Sequence, residues 1–255
     1  MTLIVLIIVG VIGAVLVFGG ESSNNGVFFG EPLEVARGQA DSDGNVQRAD
    51  HVKGANDATV TLIEYGDFAC PACFAFFPEL QQLEAAYPDD LEVVFRHNPL
   101  SSIHPNAFAA HRAAVAADNQ GMFWEMHDLL YERQPSWSAT QSGLDITAAA
   151  TVFETYAQEL GLDIEQYTAD VASQATFDFI DSHLDSGSQL GVTGTPTLFL
   201  NGEEVNERSF AELSAIIDGI IAENGAAETD TTETPESTEA TEETAGDQVE
   251  LETTE

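Results

Sequence analysis

The order of two strand-like runs around one helix-like segment most constrains how this chain can fold. Ala58–Tyr65 and Leu91–Phe95 are apolar and rich in β-branched residues, so each run predicts a buried strand. The segment between them, from about Pro71 to Ala86, predicts a helix. A helix that connects two neighbouring strands returns the chain in the same direction, so the two strands should be parallel.

The rest of the folded part predicts a long helical stretch and then a second pair of strands. Four helices are expected between Pro105 and about Leu190, at Ala107–Ala117, Met122–Arg133, Ile146–Leu160 and Ile164–Leu184. A hairpin with strands at Thr197–Leu200 and Glu203–Val205 and a last helix at about Phe210–Ala222 should follow. The sequence therefore predicts an α/β fold with a helical insertion, at about 104–190, between a β-α-β half and a β-β-α half.

The two ends of the chain differ in composition from the middle. Residues 1–19 contain an unbroken apolar and glycine run, which predicts a transmembrane anchor or a signal peptide, and the lack of Lys or Arg before it favours the anchor. Residues 20–49 are rich in Gly, Ser, Asn and Asp and predict a flexible linker. Residues 225–255 are rich in Thr and Glu and predict a disordered acidic tail, so we expect the folded domain at 50–224.

The charge balance restricts the possible partners. The chain has 44 acidic residues and only 7 Lys and Arg. We expect no nucleic-acid partner, because neutralising phosphates requires clustered basic side chains. Between Asp50 and Ala222 the sequence has 27 acidic and 5 basic residues, so the folded domain should repel itself at low ionic strength.

Cys70 and Cys73 are the only two cysteines, and they fall where a predicted strand leads into a predicted helix. Unpaired N–H groups at a helix N-terminus stabilise a thiolate, which predicts that Cys70 is the nucleophile and that Cys73, one turn further on, closes the disulfide. Pro71 fits the first turn of that helix, where no N–H is needed.

A metal half-site and an inert structural disulfide are the alternatives for this pair. A metal would need further ligands from the six histidines, which have no tight ligand spacing: His51, His97, His104, His111, His127 and His183. We interpret His104, His111 and His127 as helix-cap or surface residues. A disulfide over so short a loop restricts the unfolded chain little. We therefore favour redox chemistry at the cysteines, with no metal and no other cofactor.

Four separated segments also resemble the DsbA-like thiol-disulfide oxidoreductases, a family of thioredoxin-like fold, in its membrane-anchored or secreted prokaryotic branch. In order along the chain they are Asp67-Phe68-Ala69-Cys70-Pro71-Ala72-Cys73; Arg96-His97-Asn98-Pro99-Leu100 with Ile103-His104-Pro105-Asn106-Ala107; Phe123-Trp124-Glu125-Met126-His127-Asp128-Leu129-Leu130; and Gly191-Val192-Thr193-Gly194-Thr195-Pro196-Thr197 with Asn201-Gly202. The resemblance extends from about Asp50 to Ala222 and does not identify a substrate.

The resemblance implies a substrate-binding role for Thr195 and Pro196 and a proton-exchange role for Glu64. Pro196, after Thr195, matches a cis-proline that faces the cysteine pair and contacts the substrate; an ordinary trans proline at the start of a strand is the alternative. Glu64 matches a buried acid that exchanges a proton with Cys73, and the alternative is a solvent-facing glutamate on a strand. The most oxidising members of the family have a histidine where this chain has Ala72, so the pKa of Cys70 should be depressed less than theirs.

The resemblance implies a function outside the cytoplasm. We expect a disulfide oxidase anchored by its N-terminal helix, or secreted if that segment is cleaved. Its partners would be exported proteins with free thiols and a membrane redox protein that reoxidises it. A reductase or isomerase of the same fold, or a protein-binding module without turnover, are the alternatives.

We predict that added salt stabilises this acidic domain. Raising the salt concentration from 0.1 M to 1 M shortens the screening length from about 10 Å to about 3 Å, which weakens repulsion between carboxylates. The melting temperature should therefore rise with sodium chloride over this range. A flat or falling melting temperature would show that the repulsion does not limit stability.

Overall fold

A computed structural model describes residues 33–37 and 49–230 of the chain, with side chains to residue 224. The predicted anchor at 1–19, most of the predicted linker at 20–49 and the tail from 231 onward lie outside the described residues. Within the described ranges, no helix is both long enough and apolar enough to cross a membrane.

Five strands form one mixed sheet in the described part of the chain. They are β1 (His51–Gly54), β2 (Val60–Gly66), β3 (Leu91–His97), β4 (Thr197–Leu200) and β5 (Glu203–Val205). Their order across the sheet is β1-β3-β2-β4-β5; β2 and β3 are parallel, as predicted, and the other neighbours are antiparallel. The sequence does not predict β1, because its four residues form no apolar run.

Two helices, α1 (Pro71–Ala86) and α9 (Phe210–Asp230), cover one face of the sheet. Their apolar side chains form one buried cluster with alternate residues of the strands: Phe76, Leu80, Leu83, Leu213 and Ile217 from the helices, and Val60, Leu62, Leu91, Val93, Leu198 and Leu200 from the sheet. α9 continues past its expected end at Ala222 to Asp230, so residues 225–230 are helical where the sequence predicts a disordered tail. Ala and Glu in this segment are good helix formers.

Seven helices form the insertion between β3 and β4. They are α2 (Ala107–Asp118), α3 (Phe123–Glu132), α4 (Gln134–Trp137), α5 (Ala139–Ser142), α6 (Ile146–Glu159), α7 (Ile164–Ala172) and α8 (Gln174–Gln189). The single helix expected at Ile164–Leu184 is two helices, because Ser173 has an extended backbone and its hydroxyl accepts the Thr176 N–H as the N-cap of α8. The observed order of elements matches the predicted fold class.

On the other face of the sheet, the buried Arg96 side chain joins several segments. Its guanidinium donates to the Asp50 carboxylate at 3.2 and 2.9 Å, to the Tyr65 hydroxyl at 2.9 Å and to the Glu34 carbonyl at 2.7 Å. The Tyr65 hydroxyl also lies 2.9 Å from Ser186 Oγ in α8. Removing one partner of such a buried ion pair typically costs about 3–5 kcal/mol. This network therefore fixes β2, β3, α8 and the segment at 33–37 against one another.

All six histidines are buried, so the expectation that His104, His111 and His127 lie at the surface is wrong. None of the three caps a helix either, because His111 and His127 lie within α2 and α3 and the N-cap of α2 is Asn106. His97 Nδ1 lies 2.7 Å from His111 Nδ1, and His97 Nε2 lies 2.9 Å from His51 Nε2. A neutral imidazole has one donor and one acceptor, so neighbouring rings can satisfy each other inside a core. The helical insertion packs against the end of β3 and buries these rings, which no local sequence pattern reveals.

We predict that His127 makes stability depend on pH. Burial lowers the pKa of His127 from 6.5 to about 4, so the unfolded chain binds a proton in this window that the folded chain does not. The free energy of unfolding is therefore at its full value above about pH 6.5. It falls by about 3 kcal/mol as the pH is lowered to about 4. Denaturant unfolding of wild type and His127→Phe should show a shallower pH profile for the variant. Parallel profiles would contradict the prediction.

Candidate redox site

Cys70 and Cys73 lie where β2 leads into α1, with Cys70 as the N-cap residue and Pro71 in the first turn. Both cysteines are free thiols. Cys70 is 6% exposed and Cys73 is 1% exposed, so the nucleophile lies deeper than its place at a helix terminus suggests. The helix start brings the two predicted site residues together, with Cys73 in the apolar cluster that includes Phe68 and Phe77.

The Cys70 thiol is the more acidic of the two. A hydrogen bond from the Cys73 side chain lowers the pKa of Cys70 to about 5, although burial acts in the opposite direction, and the neighbouring Thr195 side chain contributes less. The backbone N–H groups of Ala72 and Cys73, in the first turn of α1, lower this pKa further, as the helix N-terminus predicts. Cys70 is therefore mainly a thiolate at neutral pH.

Cys73 has the opposite preference. Burial raises the pKa of Cys73 well above its ordinary value, because a charged sulfur is poorly solvated in an apolar core. The Asp67 N–H donates to Cys73 Sγ at 3.5 Å. Cys73 therefore keeps its proton at neutral pH until a base takes it.

Glu64 lies on the face of β2 that α1 covers, two residues after Leu62 on the same face. It is 2% exposed, so the solvent-facing alternative is wrong. Burial raises the pKa of Glu64 to about 8, and the positive charge of Arg208 opposes only part of this rise. A carboxyl group with such a pKa can accept or release a proton near neutral pH.

The Thr195–Pro196 peptide bond is cis, and it lies beside Cys70. Cys70 Sγ lies 3.4 Å from the Thr195 carbonyl oxygen. The guanidinium of Arg208 donates to the Pro196 carbonyl at 3.0 Å and to two other carbonyls near the start of α9. A polypeptide bound to Cys70 would therefore meet the backbone of Thr195 and Pro196.

Asp67 connects the two loops at this end of the sheet, a role that the sequence does not predict. Its Oδ1 accepts the Ala69 N–H at 2.8 Å, and its Oδ2 accepts the Leu100 N–H at 3.0 Å and lies 2.7 Å from His104 Nδ1. Burial acts to raise the pKa of Asp67. Hydrogen bonds from His104 and His111 outweigh burial and hold the pKa of this carboxyl well below its usual range.

Two further residues shape the site although no sequence pattern marks them. A Cβ at Gly66 would overlap the ring of Phe95, so the strand can end there only with glycine. Gln134 Nε2 donates to the carbonyl oxygens of Phe68 and Cys70, at 2.8 and 2.9 Å, and so fixes the loop before α1. Across the described residues, no group of His, Cys, Asp or Glu side chains is arranged to hold a metal ion.

A family model described as Thioredoxin matches residues 47–219. Among curated proteins, the Na(+)/H(+) antiporter NhaA 3 of Salinispora tropica is 35% identical over 187 residues, which cover 71% of this chain and 27% of the relative. The Na(+)/H(+) antiporter NhaA 1 of Mycolicibacterium gilvum is 39% identical over 158 residues, which cover 60% of this chain and 24% of the relative. The chain thus spans about a quarter of the length of these curated relatives.

Solved structures with a similar fold include a thioredoxin-like oxidoreductase from Silicibacter pomeroyi. It is 28% identical, with a TM-score of 0.55, and the match covers 66% of this chain and 90% of that one. Oxidised BdbD from Bacillus subtilis is 20% identical, with a TM-score of 0.58, over 74% of this chain and 99% of that one. At that identity the second match supports the fold alone.

We predict that Cys73→Ala raises the pKa of Cys70 above about 5, because the Cys73 side chain contributes most to lowering it. The pKa should stay below its ordinary 9.0, since the backbone N–H groups of the first turn of α1 still favour the thiolate. Thr195→Val should produce a smaller rise, because the Thr195 side chain contributes less to lowering the pKa. Ultraviolet absorbance of the thiolate against pH measures both changes. A pKa of about 5 in Cys73→Ala would contradict the assignment.

Proposed function

Because the chain belongs to the thioredoxin family, in its DsbA-like branch, we propose that it is a thiol-disulfide oxidoreductase that forms disulfide bonds in exported proteins. The proposal rests on the opposite pKa shifts of the two cysteines. Cys70 is a thiolate at neutral pH, and Cys73 is a buried thiol beside Glu64. An inert disulfide or a metal half-site needs no such contrast.

The reaction begins with the disulfide form of the pair. A thiolate of the substrate attacks Cys70 Sγ, the bond between Cys70 and Cys73 breaks, and Cys73 leaves as a thiolate in the apolar core. Glu64, whose pKa is about 8, gives its proton to Cys73. A second substrate thiolate attacks the substrate sulfur of the mixed disulfide, and Cys70 leaves as a stable thiolate.

The acidity of Cys70 supports the oxidase direction over a reductase or an isomerase. A stabilised thiolate favours the reduced form of the enzyme, which makes its disulfide the stronger oxidant. The Cys73 side chain contributes most to stabilising the Cys70 thiolate here, where the most oxidising relatives have a histidine in place of Ala72.

We further propose that the domain works outside the cytoplasm at a membrane, anchored by the apolar run Thr2–Phe18. Its partners would be exported proteins with free thiols and a membrane protein that reoxidises Cys70 and Cys73. The similarity to parts of Na(+)/H(+) antiporters supports an association with membranes. A disulfide-forming enzyme also needs an oxidising compartment to act in.

We predict that the purified protein forms disulfides in a reduced test protein and that Cys73→Ala accumulates mixed disulfides with it. Cys70→Ala should form none, since the remaining buried thiol supplies little thiolate. Gels run without reductant, after acid quenching, detect the adducts. If Cys70→Ala traps clients and Cys73→Ala does not, the roles are reversed; no adducts and no turnover would favour a binding module.

Measuring the equilibrium between the Cys70–Cys73 pair and glutathione then shows whether the protein acts as an oxidase or as a reductase. A reduction potential near the value of about −120 mV typical of strong oxidants would support the oxidase, and one near about −270 mV would make the protein a reductase.

A further inference from the structure

Two buried polar atoms beneath Cys73 have no hydrogen-bond partner among the described residues. They are the hydroxyl of Tyr131, a residue that is 1% exposed, and Oε1 of Glu64, which is 2% exposed. A hydroxyl in an apolar core without a partner has lost its hydrogen bonds to water and gained none in return. In native proteins a buried polar group without a partner usually has a functional role or binds a water molecule.

The ring of Tyr131 lies between the residues that flank the cysteine pair. It stacks on Phe77, with ring centroids 5.3 Å apart, and packs at an angle on Phe68 at 5.0 Å. Phe77 follows Cys73 by one helical turn on the same face of α1, and Phe68 lies two residues before Cys70. α3 thus brings the Tyr131 ring against the loop and the helix that carry the two cysteines.

The charged groups around this hydroxyl all come from the site. They are Cys73, Glu64, Asp67 and Cys70, and the ring of His127 packs 5.0 Å from that of Tyr131. Burial first, and then these negative groups, raise the pKa of Tyr131 well above its ordinary value. The hydroxyl therefore keeps its proton and can act as a donor.

We propose that Tyr131 is a positioning residue for the Cys73–Glu64 pair, whose hydroxyl donates a hydrogen bond, directly or through one buried water, to whichever of the two is negatively charged. This inference rests on the proposed function. It assigns a donor to a place where the reaction must create a negative charge in an apolar core.

The donor serves both directions of the exchange. When a substrate thiolate opens the Cys70–Cys73 disulfide, Cys73 is released as a thiolate. It then takes the proton of Glu64, and the negative charge moves from the sulfur to the carboxylate. When Cys73 attacks a mixed disulfide at Cys70, its proton passes to the Glu64 carboxylate, a bond forms between Cys73 and Cys70, and the bond from Cys70 to the substrate breaks. In each direction one negative charge passes between the Cys73 sulfur and the Glu64 carboxylate, and Tyr131 can donate to it.

Tyr131→Phe tests the proposal, because it removes one oxygen atom that has no protein partner. The reduced enzyme is mixed with an aromatic disulfide that releases a coloured thiolate. The first release reports attack by Cys70, and the second reports resolution by Cys73. Near pH 7 we expect an unchanged first phase and a second phase slowed about ten- to hundredfold, the usual effect of losing a hydrogen bond to a charged group. The pH profile of the second phase should shift upward.

Tyr156→Phe is the matched control. Tyr156 lies in the same apolar cluster, but its hydroxyl contacts Ser136 Oγ at 3.1 Å, so this variant should leave both phases unchanged. Combining Tyr131→Phe with Glu64→Gln should slow resolution by less than the product of the single effects, because both groups act on one charge.

Two other outcomes would contradict the proposal. If Tyr131 is only a buried hydroxyl without a partner, Tyr131→Phe will melt at the same or a higher temperature with both phases unchanged, and the proposal is overturned. If wild type shows no second release, the redox function fails, and this inference fails with it.

Discussion

The buried charge of Asp67 is the constraint on which this end of the molecule depends. A carboxylate removed from water must be hydrogen-bonded, so the surrounding backbone has to bring donors to it. The loop before α1 supplies the Ala69 N–H, and the loop after β3 supplies the Leu100 N–H and the His104 ring. The backbone of Asp67 in turn contacts both cysteines, through its carbonyl to the Cys70 N–H at 3.0 Å and its N–H to Cys73 Sγ.

Glu64 is buried in the same part of the fold, but it has no comparable set of hydrogen-bond donors. It occupies a core position of β2, on the same face as Leu62, which packs against α1. Raising its pKa from 4.5 to about 8 corresponds to about 5 kcal/mol against the charged form. The folded state therefore holds this proton at neutral pH and is destabilised as the pH rises from about 4.5 to about 8. A cost of this kind is typical of functional sites.

The sequence predicts the elements better than it predicts the contacts between them. The periodicity and the turn at Asn201-Gly202 are local, so α1, the parallel strands and the hairpin could be found from them. The break at Ser173 is a cap within an otherwise helical pattern. Asp67, Tyr131 and the buried histidines gain their partners from segments distant in sequence, so no local pattern reveals their environment.

The acidity of Cys70 shows how local donors prevail over the overall charge of the domain. A carboxylate on the surface about 10 Å away opposes the thiolate by about 0.4 kcal/mol in water, and salt screens even this. One hydrogen bond to a charged group contributes about 1.5–3 kcal/mol. The Cys73 side chain, with the helix N-terminus, therefore outweighs several such carboxylates. A chain with 44 acidic residues can consequently keep a reactive thiolate without a histidine at position 72.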